Sequence, residues 1–276
     1  MKHLSANGAR IPALGLGTWT LEGRACTDLV AHALSLGYRH VDTAAIYGNE
    51  RAVGEAIRAS GLPRREIFLT TKVWWTGLAA DALRRSAMES LKRLGLDHVD
   101  LLLVHWPSPA IPLAETMAAL AAVREEGLAR HIGVSNFPSR LLEEAVCLSP
   151  APLVANQVEY HPYLDQTRVH AACRAHGMAM VAYCPLYRGG ALLAEPPVVE
   201  AAARHGRTPA QVVLRWHVQQ EDVAVIPRTR RMERLAENAG IFDFSLDEAE
   251  MAAIGRLRSN GRRLCDYGFS PQWDTP

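Results

Sequence analysis

The sequence predicts an α/β protein, a closed barrel of eight parallel strands, and three observations carry that reading. Short apolar or β-branched runs, eight of them, alternate with alanine- and leucine-rich amphipathic segments, the rhythm of parallel strands joined by crossover helices. The length of 276 residues suits one such barrel, for which about 250 is typical, and suffices to bury a substantial core. A doubly wound dinucleotide fold, the competing architecture, needs Gly-x-Gly-x-x-Gly after its first strand. Here Gly15-Leu16-Gly17-Thr18-Trp19-Thr20 puts threonine at the third glycine.

The elements follow in order. Asn7-Gly8, flanked by Leu4 and Ile11, is a two-residue hairpin turn, because both positions need positive φ. Strand ends are expected at 15–19, 40–42, 68–72, 99–105, 131–135, 155–158, 179–183 and 223–226. Helices are expected at 29–36, 50–59, 79–94, 113–126, 139–147, 166–176, 196–205 with 209–219, and 231–239. Ser245-Leu246-Asp247-Glu248 reads as a capping box opening an extra C-terminal helix at 246–257. No linker, low-complexity tract or charge block divides the chain, so residues 1–276 are expected to form a single domain.

A net charge of +1 with 21% charged residues removes the electrostatic case for a nucleic-acid or membrane-surface partner. Cys26, Cys147, Cys173, Cys184 and Cys265 are scattered, with no Cys-x-x-Cys pair and no metal-ligand spacing. That pattern predicts free thiols, no metal and a reducing compartment. The opening Met1–Gly8 lacks an apolar signal core and no run is long enough to span a bilayer, so a cytoplasmic location is expected.

Asp42, Lys72 and His105 close three of the strand-like runs, and Tyr47 follows the first of these. A barrel presents its reactive groups at the carboxyl ends of its strands. Tyrosine titrates near ~10 and is a poor proton donor, but an adjacent cation favours the phenolate. Lys72 can supply that cation, and Asp42 can hold the lysine charged in a partly dry pocket. His105 can orient a carbonyl oxygen while Tyr47 donates the proton it needs. Taken singly, Asp42 and Lys72 form a structural ion pair, His105 is a core histidine and Tyr47 a loop aromatic. Together at strand ends they predict catalysis that lacks only a hydride source.

Gly37-Tyr38-Arg39-His40-Val41-Asp42-Thr43-Ala44 with Tyr47-Gly48-Asn49-Glu50, then Thr71-Lys72-Val73-Trp74, Val104-His105-Trp106-Pro107, Gly133-Val134-Ser135-Asn136-Phe137, Ile226-Pro227-Arg228-Thr229 and Glu237-Asn238 resemble, in this order, the aldo-keto reductases. The ending Gly268-Phe269-Ser270-Pro271-Gln272-Trp273-Asp274 is similar to the short bacterial branch that includes 2,5-diketo-D-gluconate reductases. The resemblance implies that the hairpin plugs the barrel bottom, that the enzyme is a monomer, and that NADPH is the cofactor. It implies that Ser135, Asn136 and Gln157 meet the nicotinamide carboxamide, that Tyr183 stacks under the ring, and that Gly17, Thr18, Trp19 and Ile226 lie beside the dinucleotide. The loop Tyr183-Cys184-Pro185-Leu186-Tyr187 would reach the pyrophosphate, and Arg228, Thr229, Arg234, Glu237 and Asn238 would surround the adenosine and its 2′-phosphate. Without the resemblance, the basic run 227–234 reads as a solvated helix start. Arginine forks suit a phosphate that NADPH has and NADH lacks.

The chain departs from the family pattern at three places: arginine for lysine at 228, Cys184 for serine and Tyr187 for glycine. Cys184 reads as a small buried hydrophobe or weak donor rather than a redox switch, and Tyr187 has no assigned role. Trp19, Trp74 and Trp106 follow strand ends, and the resemblance implies that they line the substrate pocket, with Trp75 a weaker candidate. The short loop 108–112 and brief tail predict a shallow, open site for small or polar carbonyls such as diketo sugar acids or methylglyoxal. Phe269 and Trp273 either fold over its mouth or belong to a disordered tail. The alternative function is a cofactor-binding regulatory module of the same fold, which would need a docking extension or a lost catalytic residue.

Overall fold

The computed structural model describes residues 2–274. It opens with the antiparallel hairpin of β1 (His3–Ala6) and β2 (Ala9–Pro12), in register Leu4 to Ile11. Asn7 and Gly8 make its turn with φ of 44° and 87°, as the type I′ geometry demands. The Asn7 amide donates to the carbonyls of Leu153 at 2.7 Å and His176 at 2.9 Å, which fastens the hairpin beneath the barrel.

The barrel strands are β3 (Leu16–Gly17), β4 (His40–Asp42), β5 (Phe68–Val73), β6 (Val99–Val104), β7 (Ala129–Ser135), β8 (Leu153–Glu159), β9 (Ala179–Tyr183) and β10 (Val223–Val225). They pair in parallel and in chain order. Closure comes from the short first strand. Gly15 N–H donates to the Val225 carbonyl at 2.8 Å, Val225 N–H to that of Ala13 at 2.8 Å, and Leu14 bridges Val225. Gly17 permits this approach, since a Cβ there would lie 2.7 Å from the Ile226 carbonyl oxygen. Strands β4, β5 and β6 are buried along their whole length, which explains why β5 and β6 lack the strict alternation of a half-exposed strand.

Around the sheet run α1 (Gly23–Ser35), α2 (Glu50–Ala59), α3 (Ala80–Leu94), α4 (Leu113–Glu125), α5 (Ser139–Leu148), α6 (Thr167–Ala175), α7 (Pro196–His205), α8 (Pro209–Gln219), α9 (Glu233–Ala239) and α10 (Glu248–Gly255). Among the described residues no helix is long and apolar enough to cross a membrane. Three helix starts differ from expectation by two residues or more, α9 beginning at Glu233 rather than 231. Helix α1 begins at Gly23, not 29, because Cys26 extends the buried stripe of Leu29, Val30, Ala33 and Leu34 by one turn. Helix α10 is capped by Asp247, whose side chain accepts from the Glu250 N–H while Glu250 accepts from the Asp247 N–H. Ser245 instead accepts from Arg215 at 2.9 Å, and burial of Leu246 sets the entry into the helix two residues later than the sequence box placed it.

Helices α2 and α3 touch at Gly54, where a Cβ would sit 1.9 Å from the Leu94 carbonyl oxygen. Backbone cannot yield as a flexible side chain does. Gly54→Ala is therefore expected to cost about 1–3 kcal/mol by overpacking, read as a lowered urea midpoint with unchanged slope; an unshifted midpoint would contradict this contact.

Candidate active site

The carboxyl ends of the strands open into a cavity of about 860 Å³. Asp42 ends β4, Lys72 lies in β5, His105 follows β6, and Tyr47 closes a single 3₁₀ turn, Ala45–Tyr47, just after β4. Pairing of β4 with β5 sets Asp42 opposite Thr70, so the lysine two residues on reaches back to the carboxylate from the same face. The Lys72 ammonium donates to Asp42 Oδ1 at 2.6 Å, to the Thr43 carbonyl at 2.8 Å and to Tyr47 Oη at 3.4 Å. The other Asp42 oxygen accepts from the Gln157 amide at 2.7 Å. Lys72 is fully buried beneath the floor, whereas Asp42, Tyr47 and His105 line the cavity. Since the Tyr47 oxygen accepts from Lys72, its own O–H is available to a group in the cavity.

His105 meets Tyr47 edge-on at 5.6 Å and Trp74 at 5.2 Å between ring centroids. Its Nδ1 is buried and finds no hydrogen-bond partner among the described residues, a costly state for a buried polar atom. Burial and then the Lys72 charge hold the imidazole well below its ordinary value, so it is neutral. Burial also lowers Lys72, opposed by Asp42. The expectation that Lys72 acidifies Tyr47 is corrected: burial, reinforced by the Asp42 carboxylate, pushes the phenol well above its ordinary value. Desolvation outweighs the neighbouring cation because the ammonium is already compensated by Asp42 at the shorter distance.

Ser135 ends β7, Asn136 follows it with φ of 65°, Gln157 lies in β8, and Tyr183 ends β9. Ser135 Oγ donates to the Gln157 carbonyl at 2.7 Å. The Asn136 amide donates to the His105 carbonyl at 2.9 Å and accepts from the Tyr183 hydroxyl at 2.8 Å, tying three strand ends together. Gly17, Thr18, Trp19, Cys184, Pro185, Leu186, Ile226, Arg228, Thr229, Arg234 and Asn238 also line the cavity. Arg228 donates to Thr20 Oγ1 at 2.6 Å. Arg234 is gripped by both Glu237 oxygens at 2.8 and 2.7 Å. Glu237, which also accepts from Thr208 at 2.6 Å, stands behind Arg234 and outside the cavity lining.

Trp19, Trp74 and Trp106 line the cavity, while Trp75 stacks behind on Phe269 at 5.4 Å. Sequence reasoning missed Arg188, Arg231, Cys265 and Tyr267, which also line it. Arg231 lay in the basic run already singled out, but the other three are brought in by loops and carried no sequence signal. The shallow, open site is likewise corrected. Phe269 sits within 5.5 Å of Trp74 and Trp106, Trp273 reaches Trp106 at 6.0 Å, and the tail roofs one side of the mouth. Two anchors hold it: the buried Glu159 carboxylate accepts the N–H groups of Leu264 at 2.6 Å and Cys265 at 2.8 Å, and Asp274 accepts from Ser139 N–H and Oγ at 2.9 and 2.7 Å. Tyr187 packs edge-on against His161 at 4.9 Å and Tyr163 at 5.1 Å, so its ring braces the loop from behind.

A sequence profile of the Aldo/keto reductase family matches residues 13–259. The chain is 45% identical over 267 residues to methylglyoxal reductase DkgB of Salmonella typhimurium, covering 96% of this chain and 99% of that protein. It is 43% identical over 259 residues to an aldo-keto reductase of Mycobacterium avium, covering 94% of this chain and 90% of that protein. Among solved structures, one provisionally assigned as a 2,5-diketo-D-gluconic acid reductase B superposes with a TM-score of 0.96 at 52% identity, covering 100% of this chain and 98% of that one. Aldose reductase from Schistosoma japonicum superposes at 0.91 with 31% identity, covering 98% of both chains.

Proposed function

Because the chain belongs to the aldo/keto reductase family, we propose that it is an NADPH-dependent reductase of small or polar aldehydes and ketones, methylglyoxal and diketo sugar acids foremost, with Tyr47 as general acid. The observation that carries this reading is the Asp42–Lys72–Tyr47 chain of contacts, at 2.6 and 3.4 Å, with the His105 ring beside Tyr47 on the cavity wall. The similarity to methylglyoxal reductase DkgB supports the substrate class.

The cavity fits NADPH in its donor set: amides and an aromatic ring at the strand ends, together with arginines. Tyr183 would lie beneath the nicotinamide, Ser135 and Gln157 would meet its carboxamide, and Arg228, Thr229 and Arg234 the adenosine phosphate. The Arg234 fork is preset by Glu237, which lowers the entropy lost on binding an anion. When bound, NADPH supplies the hydride. The chain's own work lies at the carbonyl oxygen. His105 and Tyr47 hold it by hydrogen bonds, and Tyr47 gives up its proton as negative charge develops there. A phenol held neutral by burial is the form that can donate, and Lys72 stabilises the phenolate left behind. Asp42, pinned by Gln157, keeps Lys72 charged. The aromatic roof excludes water.

This reading takes residues 1–276 as one domain working as a cytoplasmic monomer, with the near-neutral charge and free cysteines in support of the location. The test is loss of NADPH absorbance with a carbonyl panel, in which methylglyoxal should be turned over. NADPH bound without turnover of any carbonyl would favour the regulatory module instead. Steady-state efficiency should favour NADPH over NADH, and Arg234→Ala should erode that preference by about 10- to 100-fold through loss of a charged hydrogen bond. Equal efficiency with both cofactors in the unaltered chain would refute the assignment.

A further inference from the structure

Two of the five cysteines, 81 positions apart in the chain, meet at the wall of the cavity. Glu159 and Tyr183 are directly opposite in the pairing of β8 with β9, which spaces their backbones by about 4.8 Å. Cys184 is the residue after Tyr183. Cys265 is brought to the same place because its own N–H donates to Glu159 Oε2 at 2.8 Å. Cys184 and Cys265 are thereby brought to the same stretch of the cavity wall, with Tyr267 beside them. Cys184 has φ of 50°, in the left-handed region that non-glycine residues seldom adopt.

We propose that Cys184 and Cys265 form a redox-active dithiol, a modification site whose disulfide ties the loop after β9 to the C-terminal segment along the cavity wall. The chemistry is asymmetric. The neighbouring Cys184 thiol, with smaller help from Tyr267 and Arg188, lowers the Cys265 thiol against burial and the Glu159 carboxylate, which both raise it, so Cys265 is assigned as the nucleophile. Cys184 is raised and acts as the resolving thiol. With hydrogen peroxide as oxidant, the Cys265 thiolate attacks one peroxide oxygen, the O–O bond breaks, and a sulfenic acid and hydroxide form. Cys184 sulfur then attacks the sulfenic sulfur, the S–O bond breaks, and water leaves with the thiol proton. In sum, two thiols and one peroxide give one disulfide and two waters. The remaining thiols are placed differently: Cys147 is exposed and alone, while burial pushes Cys26 up to about 11 and Cys173 up to about 12.

The test uses the full-length chain with Cys147→Ser, which prevents linkage between copies, treated with hydrogen peroxide, alkylated, and digested without reduction. The expected result is a peptide joining residues 184 and 265, an intact mass lower by two hydrogens, and reversal by dithiothreitol. In Cys184→Ser, which lacks the resolving thiol, Cys265 should instead proceed to the sulfinic acid; in Cys265→Ser, Cys184 should stay alkylatable. Full alkylation of both thiols after peroxide, or sulfinic acid at Cys265 with Cys184 intact beside it, would overturn the proposal. The readout needs neither NADPH nor a carbonyl, so it stands or falls apart from the reductase reading.

Discussion

Replacing Tyr47 by phenylalanine is expected to leave NADPH binding intact and to lower carbonyl turnover by about 100- to 10,000-fold, the range that a positioned general acid contributes. The substitution removes one oxygen from a half-buried ring and leaves its edge contact with His105, at 5.6 Å, available to the phenyl ring. It does orphan one Lys72 proton, but the two shorter bonds, to Asp42 at 2.6 Å and Thr43 at 2.8 Å, remain. Folding should therefore change little and the loss should fall on the chemical step. Fluorescence titration with NADPH separates the two effects. Full turnover in the variant would refute the role of Tyr47, and loss of binding would show that the ring serves the cofactor instead.

Lys72→Met carries the second large effect, on stability and activity together. The ion pair is buried, with side-chain exposures of 0% and 3%, so removing one partner strands the other in a poorly solvated site. Breaking such a pair costs about 3–5 kcal/mol, mostly the penalty on the uncompensated charge. The denaturation midpoint of Lys72→Met should fall accordingly. The double variant Asp42→Leu with Lys72→Met should regain much of that stability, because no charge is left buried. Turnover should not return, since nothing would stabilise the Tyr47 phenolate. A double variant no more stable than Lys72→Met would mean that the loss comes from packing rather than charge, and a double variant that reduces carbonyls normally would remove Lys72 from the mechanism.

These expectations rest on features of unequal visibility. Strands β4 to β6 were legible because each carries an ionisable residue at or next to its carboxyl end, Asp42, Lys72 and His105. Asn7-Gly8 was legible as a hairpin turn, and positive φ supplies the reason, whereas the role of Gly17 in closing the barrel against Ile226 came only from the structure. The start of α1 was missed because Arg24, Thr27 and Asp28 dilute its first turn, although Cys26 is buried. The capping box slid because Ser245 and Asp247 are both cap-forming residues, and only the burial of Leu246 decides between them.

By itself, the sequence determined which residue types stand at the ends of the strands, and hence that an acid, a phenol, an amine and an imidazole converge on one mouth. Such information is local: a strand's polarity and its last residue are neighbours in the chain. Tertiary structure alone decided the sign of the Tyr47 shift, because desolvation depends on everything packed around the ring. It alone also decided that the tail roofs the cavity and that Cys265 meets Cys184. Both depend on one buried carboxylate, Glu159, which satisfies backbone donors 105 and 106 residues away, and the roof depends also on the Asp274 contact with Ser139. A hydrogen bond to backbone N–H leaves no mark on the identity of the residue that donates it, so no side-chain pattern could have announced it.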